Sequence, residues 1–407
     1  MNAVELGPVP EEHRTQPAFD LFLIFAGANI VATTLVTGAS LAPGFGTRQA
    51  HHLITLGSLA GAALVAALAP VGPRLGVPSV IAARAAFGVS GARLLALVLY
   101  ASNFAWIALN NVIAASACAQ VAGGSASERA WAVGLGIAAT AVVAGGPRAV
   151  GLADRAAVPL MLGVGALMTA GALRLPASVF SAGGTSPVSW ARGLDVVIAY
   201  QVSWILMFAD YSRYTRSPGR GAAAVFLGLA GTSLWFMPLG DLGARAAGSG
   251  DPGAMLAALG LGPSGALLLA LGTLTTNFVN IYLSALAWRS LSPGAGTQAT
   301  VWSIGLVGSA LSLLSRAWLD RYGDFMVLLG SALVPVGGVL LARLLIAPRP
   351  VVVAALYQDA GPHAGFDRGA MAAWVLGAVV YYAAAPVGGT VPSLLTATAT
   401  ALLLRRR

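Results

Sequence analysis

The chain has 407 residues, of which 57 % are hydrophobic and only 9 % charged, with a mean hydropathy of +0.80. A water-soluble domain of this composition would expose far too much apolar area, so a soluble enzyme or binding module is excluded and a polytopic membrane protein remains. The net charge is +9, its basic part entirely arginine with no lysine, and in such a chain it bears on topology rather than on nucleic acid.

The start, residues 1–16, is polar and acidic and carries Pro8 and Pro10. It lacks the basic start and apolar centre of a cleavable signal, so the first span is expected to be retained. About twelve apolar segments long enough to cross roughly 30 Å of hydrocarbon follow, near 19–42, 50–72, 92–121, 130–146, 149–173, 189–210, 220–241, 261–287, 299–317, 325–347, 369–386 and 388–404. The longest connections are 174–188, 242–260 and 348–368. The last of these separates a ten-span core, 19–348, from a loop with two accessory spans, 349–407, and residues 1–18 form a tail. With the tail in the cytoplasm, about 16 arginines fall inside and about seven outside. That asymmetry predicts a protein of the cell (inner) membrane with both termini cytoplasmic. Cys118 is the single cysteine, so no intrachain disulfide can form.

Polar side chains inside apolar segments are costly in lipid and usually face a bundle interior or a solute path. In the first span, Phe25-Ala-Gly27-Ala-Asn29-Ile30 sets a glycine and an amide among apolar residues, where a local break would free carbonyls. On the third span, Asn103, Trp106 and Asn110 stand at i, i+3 and i+7 and share a helical face. Tryptophan there can stack on a flat ring for about 0.5–1.5 kcal/mol beyond area burial, while each amide offers a donor and an acceptor. The ordinary alternative is helix packing, with interhelical amide bonds of about 0.6 kcal/mol each.

The sixth span carries Gln201, Ser203 and Trp204 midway, then Asp210, Arg213 and Arg216. The first three are substrate candidates, as is Asn29. The charged group reads as an ion pair at the membrane face. Between Gly193 and Pro218 no glycine or proline occurs, so a break near Ser203 must rest on the polar cluster alone. On the eighth span, Gly272, Thr275 and Thr276 at i, i+3, i+4 present neutral oxygens suited to a hard monovalent cation, and Asn277 follows. The alternative is a threonine bonded to its own helix. No carboxylate falls clearly at a midplane, so sodium is favoured over a proton relay. The four histidines are expected in loops or tails, and neither HExxH nor a phosphate-binding loop occurs. In the tenth span, Pro335 and Gly337-Gly338 read as a flexible outer gate.

Taken in order, Gly7-Pro-Val-Pro, Thr37-Gly38, Ala83-Arg84-Ala-Ala-Phe87-Gly88, Asn103-Phe-Ala-Trp106, Ala209-Asp210-Tyr-Ser-Arg213-Tyr214, Thr275-Thr276-Asn277 and Pro335-Val-Gly337-Gly338 resemble the nucleobase:cation symporter-1 family, the purine/cytosine permeases. The resemblance covers almost the entire chain and looks nearest to cytosine permeases and hydroxymethylpyrimidine transporters. It implies an all-α, LeuT-like fold of five-plus-five inverted repeats with about 12 transmembrane helices. By resemblance, Trp106 and Trp204 would sandwich the substrate ring, with Asn103, Asn110 and Asn277 at polar substrate positions. A sodium site carries over to the carbonyls of Gly27, Ile30 and Gly272 and the hydroxyls of Thr275 and Thr276. Arg343 departs from the pattern, standing where cytosine permeases have an acid.

The expectation is a monomeric symporter, without enzymatic activity, cofactor or nucleic-acid partner. It would import a small planar nitrogen heterocycle, such as cytosine, another nucleobase or a hydroxymethylpyrimidine-like compound, with Na+ favoured over H+. A hydantoin/allantoin-type permease of the same fold is the near alternative, and a passive solute channel the distant one.

Overall fold

The computed structural model describes residues 6–122, 125–184, 188–292, 294–314 and 320–405. Helix overlies every predicted apolar segment, and no strand occurs among the described residues. Residues 315–317 of the ninth segment and Arg406–Arg407 of the basic terminus lie outside the described residues. Thr47–Leu75, Arg84–Ala119, Pro218–Ala247, Thr297–Leu314 and Tyr322–Ile346 are long and apolar enough to cross a membrane.

The first span is two helices, Ala18–Asn29 and Ala32–Ala39, bent by 58°. The break falls at Ile30 and Val31, where two β-branched residues take non-helical and extended backbone (φ −82°, ψ 72° and φ −143°, ψ 165°). Side chains hold it open. Asn29 Nδ2 is drawn to the seventh span, donating to Leu229 O (3.1 Å), Thr232 Oγ1 (2.8 Å) and Ser233 Oγ (2.8 Å). The Thr34 hydroxyl takes the orphaned Asn29 carbonyl at 2.5 Å.

The sixth span breaks as well. Its helix, Trp190–Val202, starts on Ser189, whose side chain accepts from Arg192 N–H. It ends where Ser203 Oγ takes the Tyr200 carbonyl (2.7 Å), after which the chain tightens into 3-10 turns at Ile205–Met207 and Ser212–Tyr214. The unwound backbone is satisfied in part from outside the segment, where Ala209 N–H donates to Ser79 Oγ (2.8 Å), and Ser212 Oγ in turn donates to Ala69 O (2.8 Å) at the end of helix Thr47–Leu68. A break without glycine or proline is thus compensated from outside the segment.

Packing fixes the two broken spans in place. The second half of the first span crosses the seventh span, Pro218–Ala247, at Gly38 and Gly240, each facing the other helix's backbone with no room for a Cβ. The third and eighth spans run along one another over much of their length. The tenth span is Tyr322–Leu341 continued by a π-helical turn Ala342–Ile346, and the residues expected to form a flexible gate are closely packed. Gly337 abuts Ile205, Gly338 abuts the Leu394 carbonyl and Thr398, and Pro335 fills the space over Gly377. These glycines admit close neighbours.

Ile205 belongs to the sixth span, and the other neighbours to the accessory hairpin, Arg368–Ala383 and Thr390–Leu403. Buried Asp195 of the sixth span accepts the N–H groups of Gly389 (2.7 Å) and Thr390 (3.0 Å) at the start of its second helix. At the opposite face, Arg343 donates to Asp367 Oδ1 (3.3 Å) and to the Leu404 carbonyl (3.4 Å). Arg343 therefore ties the tenth span to both ends of the hairpin.

Candidate functional site

The two breaks face the third and eighth spans across a narrow cavity of about 30 Å3, room for ordered water rather than a ring. Of the residues singled out by sequence, Asn103, Trp106, Asn110, Ser203, Trp204 and Thr276 line it. Thr33, Tyr200, Met207 and Asn280 line it too and were not chosen from the sequence. Tyr200 and Asn280 sit inside the polar stretches that drew attention, while Thr33 and Met207 carry no signal of their own.

Trp106 meets Tyr200 edge-on with ring centroids 6.1 Å apart and Phe325 of the tenth span at 5.3 Å. Trp204 leans on Phe25 at 6.0 Å. Three aromatic side chains, Trp106, Tyr200 and Trp204, thus stand in the wall, backed by Phe25 and Phe325. Their polar complement is unusual, because several buried atoms lack a hydrogen-bond partner: Asn103 Nδ2, Asn110 Oδ1 and Thr276 Oγ1. A buried polar group left unpaired costs about 1–3 kcal/mol, and a cavity with an open donor, an open acceptor and an open hydroxyl is built for a polar guest.

Three further candidates stand behind this lining. Asn277 is fully buried, accepting from Asn110 Nδ2 (3.0 Å) and donating to Asn111 Oδ1 (2.7 Å). Gln201 donates to Ser233 Oγ (2.7 Å), so it shares that hydroxyl with Asn29 and fastens the sixth span to the seventh.

For the cation candidates, the regular ladder of the first helix ends with Ile30 N–H on Ala26 O, and Val31, whose N–H would take the Gly27 carbonyl, is extended, so the break removes that carbonyl from the ladder. Ile30 itself lies in the break. Thr275 Oγ1 donates to the Gly272 carbonyl at 2.7 Å, the self-bonded arrangement; its lone pairs and the free Thr276 hydroxyl are oxygen donors without charge. Met161 fills the space a side chain at Gly272 would need.

The cavity is shut at both ends. On the far side, Thr37 and Tyr322 share a hydroxyl hydrogen bond (2.5 Å), linking the first span to the tenth. Between the two breaks, Tyr200 OH bonds to Thr34 Oγ1 at 2.6 Å. On the tail side, Arg14 donates to Pro73 O (2.7 Å), Arg213 to Gly7 O (3.3 Å) and Tyr357 to Leu6 O (2.6 Å). Burial pushes the Tyr357 phenol up to about 12, against the opposing pull of Arg213 and Arg84, so it remains a donor. There Arg213 lies over the Tyr214 ring at 4.9 Å and donates to the main-chain carbonyl of Asp210 (3.3 Å).

The histidine expectation needs correction. His51 and His52 lie in the first turns of helix Thr47–Leu68, not in a loop. His51 stands 3.3 Å from Asp241, a fully buried carboxylate gripped by Arg245 at 2.9 Å. The seventh helix continues past Asp241 to Ala247, so the acid has a helical partner one turn on. Among the described residues no group of three or more His, Cys, Asp or Glu could hold a metal ion.

Comparison with known proteins bears on the family and the fold. The chain is 25 % identical over 356 residues to the cytosine permease of Escherichia coli O157:H7, covering 86 % of this chain and 82 % of that one. It is 29 % identical over 241 residues to YxlA of Bacillus subtilis (strain 168), named as a purine-cytosine permease. That match covers 58 % of this chain, which spans about half (52 %) of the relative's length. Among solved structures, Mhp1, a nucleobase-cation-symport-1 family transporter in a closed conformation with bromovinylhydantoin bound, superposes with a TM-score of 0.84 at 19 % identity. It covers 98 % of this chain and 94 % of that one. The likeness shows the fold to be the LeuT-like, five-plus-five one, all-α and multi-pass. The family model for permeases of cytosine/purines, uracil, thiamine and allantoin matches residues 8–401; the chain belongs to that family and is a membrane transporter, not an enzyme.

Proposed function

We propose that the protein imports a small planar nitrogen heterocycle by symport with a cation, Na+ in preference to H+. The observation that carries this reading is the aromatic cavity at the two helix breaks, with a buried donor, acceptor and hydroxyl left unpaired. In this reading Trp106 and Trp204 stack on the ring, Asn103 and Asn110 meet its edge, and Ser203 lies beside it. Asn277, Gln201 and Asn29 act from behind, holding the lining in place. The cation is held by the carbonyls of Gly27, Ile30 and Gly272 and the hydroxyls of Thr275 and Thr276. Neutral oxygens suit an ion that must be released after each crossing.

A cavity this narrow admits a ring only after one end opens. The Thr37–Tyr322 bond is the natural break on the far side, and the tail contacts of Arg14, Arg213 and Tyr357 on the other. Cation binding at the first and eighth spans would favour the state opened on the far side, and differential affinity of the two states couples the gradients. The protein works as a monomer in the cell (inner) membrane with the tail side cytoplasmic.

Cytosine, another nucleobase or a hydroxymethylpyrimidine-like compound is the favoured cargo. A hydantoin or allantoin-type solute is the second reading, favoured by the close superposition on a structure with bromovinylhydantoin bound. The test is a thermal-shift screen of these heterocycles on detergent-purified protein, in sodium and in choline, since a ligand of the native state raises apparent stability. A hit whose shift grows with sodium is expected. Equal shifts in the two salts contradict the ion site, and saturating concentrations of every heterocycle without a shift contradict the cargo.

A further inference from the structure

A line of hydrogen bonds runs from the cavity into the protein. Asn110 Nδ2 donates to Asn277 Oδ1 (3.0 Å), Asn277 Nδ2 to Asn111 Oδ1 (2.7 Å), Asn111 Nδ2 to Ser312 Oγ (3.0 Å), and the Ser312 hydroxyl to the Gly308 carbonyl (3.0 Å). All four side chains are buried, and the line joins the third, eighth and ninth spans.

The line has a direction. An amide can be turned end for end, but a main-chain carbonyl can only accept. Gly308 O therefore takes the Ser312 proton, which leaves Ser312 Oγ as the acceptor for Asn111. A second main-chain carbonyl, Ile107 O, lies 3.5 Å from Asn277 Nδ2. Running the line backwards would set the Asn277 oxygen against Ile107 O, and this contact is what fixes the direction, since Gly308 O also takes the Ser312 N–H. With its nitrogen committed inward, Asn110 must turn Oδ1 toward the cavity, where it is buried and unpaired.

We infer that Asn277, Asn111 and Ser312 are positioning residues that hold Asn110 as a fixed hydrogen-bond acceptor, so that the site takes rings presenting an N–H and rejects rings whose nitrogens carry no hydrogen. This rests on reading the cavity as a heterocycle site. The rejection follows because a ring without that hydrogen leaves a buried carbonyl unpaired. Asn103 is the contrast: its open atom is Nδ2, which asks the ring for an acceptor. An N–H and a ring carbonyl or bare ring nitrogen within one ligand satisfy both.

Two measurements test this separately. The first uses no ligand and compares Asn110→Asp with Asn111→Asp by thermal unfolding at pH 8. In the inferred direction Asn110→Asp lays a carboxylate oxygen on Asn277 Oδ1, whereas the carboxylate of Asn111→Asp still accepts from Asn277 and gains the Ser312 hydroxyl, which turns from the Gly308 carbonyl to donate to it. Asn110→Asp is expected to melt lower than Asn111→Asp by about 5 °C; the same midpoint, or the opposite order, overturns the direction. The second measures binding of cytosine, uracil and hydantoin, each beside its fully ring-N-methylated analogue. Wild type should prefer the unmethylated ring at least about tenfold. Asn111→Ala should shrink that preference, and Asn111→Asp should keep it. A purely structural role would weaken both rings alike and leave the ratio unchanged, which refutes the proposal. Should no unmethylated ring bind wild type, the heterocycle reading fails, while the unfolding order still decides the direction of the line.

Discussion

Thr276→Val separates the ion reading from simple packing because it moves two observables in opposite directions. The Thr276 hydroxyl is buried, lines the cavity and has no partner. Valine has the same shape, so the substitution deletes an unpaired hydroxyl that costs about 1–3 kcal/mol without opening a void. The ligand-free protein should gain about 1–2 kcal/mol, which at about 2–4 °C per kcal/mol raises its midpoint by about 2–8 °C. Sodium at about 100 times its Kd stabilises the wild type by about 2.7 kcal/mol, and a tenfold loss of affinity cuts that to about 1.4 kcal/mol. Thr275→Val is the control, since that hydroxyl already serves the Gly272 carbonyl and its loss should not raise the midpoint. The assay is thermal unfolding in sodium chloride and in choline chloride at equal ionic strength. Melting below wild type in choline would refute the unpaired hydroxyl. An unchanged sodium shift would refute its place among the ligands.

Trp106→Leu and Trp204→Leu keep the position apolar and remove the ring face, so heterocycle affinity should fall about tenfold in each; wild-type affinity in both would end the stacking model. Gly240→Val should push the seventh span off the Leu35 backbone, at about 1–3 kcal/mol for an overpacked contact, seen as a lower midpoint and a smaller folded fraction on size exclusion. Gly231→Val, on the same helix with nothing within 4 Å, should leave both unchanged.

The sequence carries the fold through hydropathy, because a lipid-crossing helix must be long and apolar whatever its neighbours. It carries the third-span face of Asn103, Trp106 and Asn110 for a similar reason: helical period alone brings them together, and the cavity receives all three. The break after Val202 is legible only as a polar cluster, since what serves its backbone is remote, the Ser79 hydroxyl beyond the second span. Asn29 and Gln201 look like cavity residues in sequence but spend their amides on the seventh span, a choice made by the crossing at Gly38 and Gly240. Asn111 is visible as one half of an Asn-Asn pair, yet nothing local says that it, with Ser312 far along the chain, sets the polarity of Asn110. The glycines of the tenth span mark a place for close approach, and only the folded hairpin tells which helix comes close.

That hairpin bears on how the tenth span can move. Asp195 fastens it at one face, Arg343 fastens it at the other, and Pro335 and Gly338 key it to the tenth span between. The outer surface of the hairpin carries exposed Val375, Val379, Val391 and Leu395. A tenth span held in this way swings only with a two-helix paddle standing in lipid. Moving the tenth span against the hairpin would break these contacts, so the two are expected to move as one block.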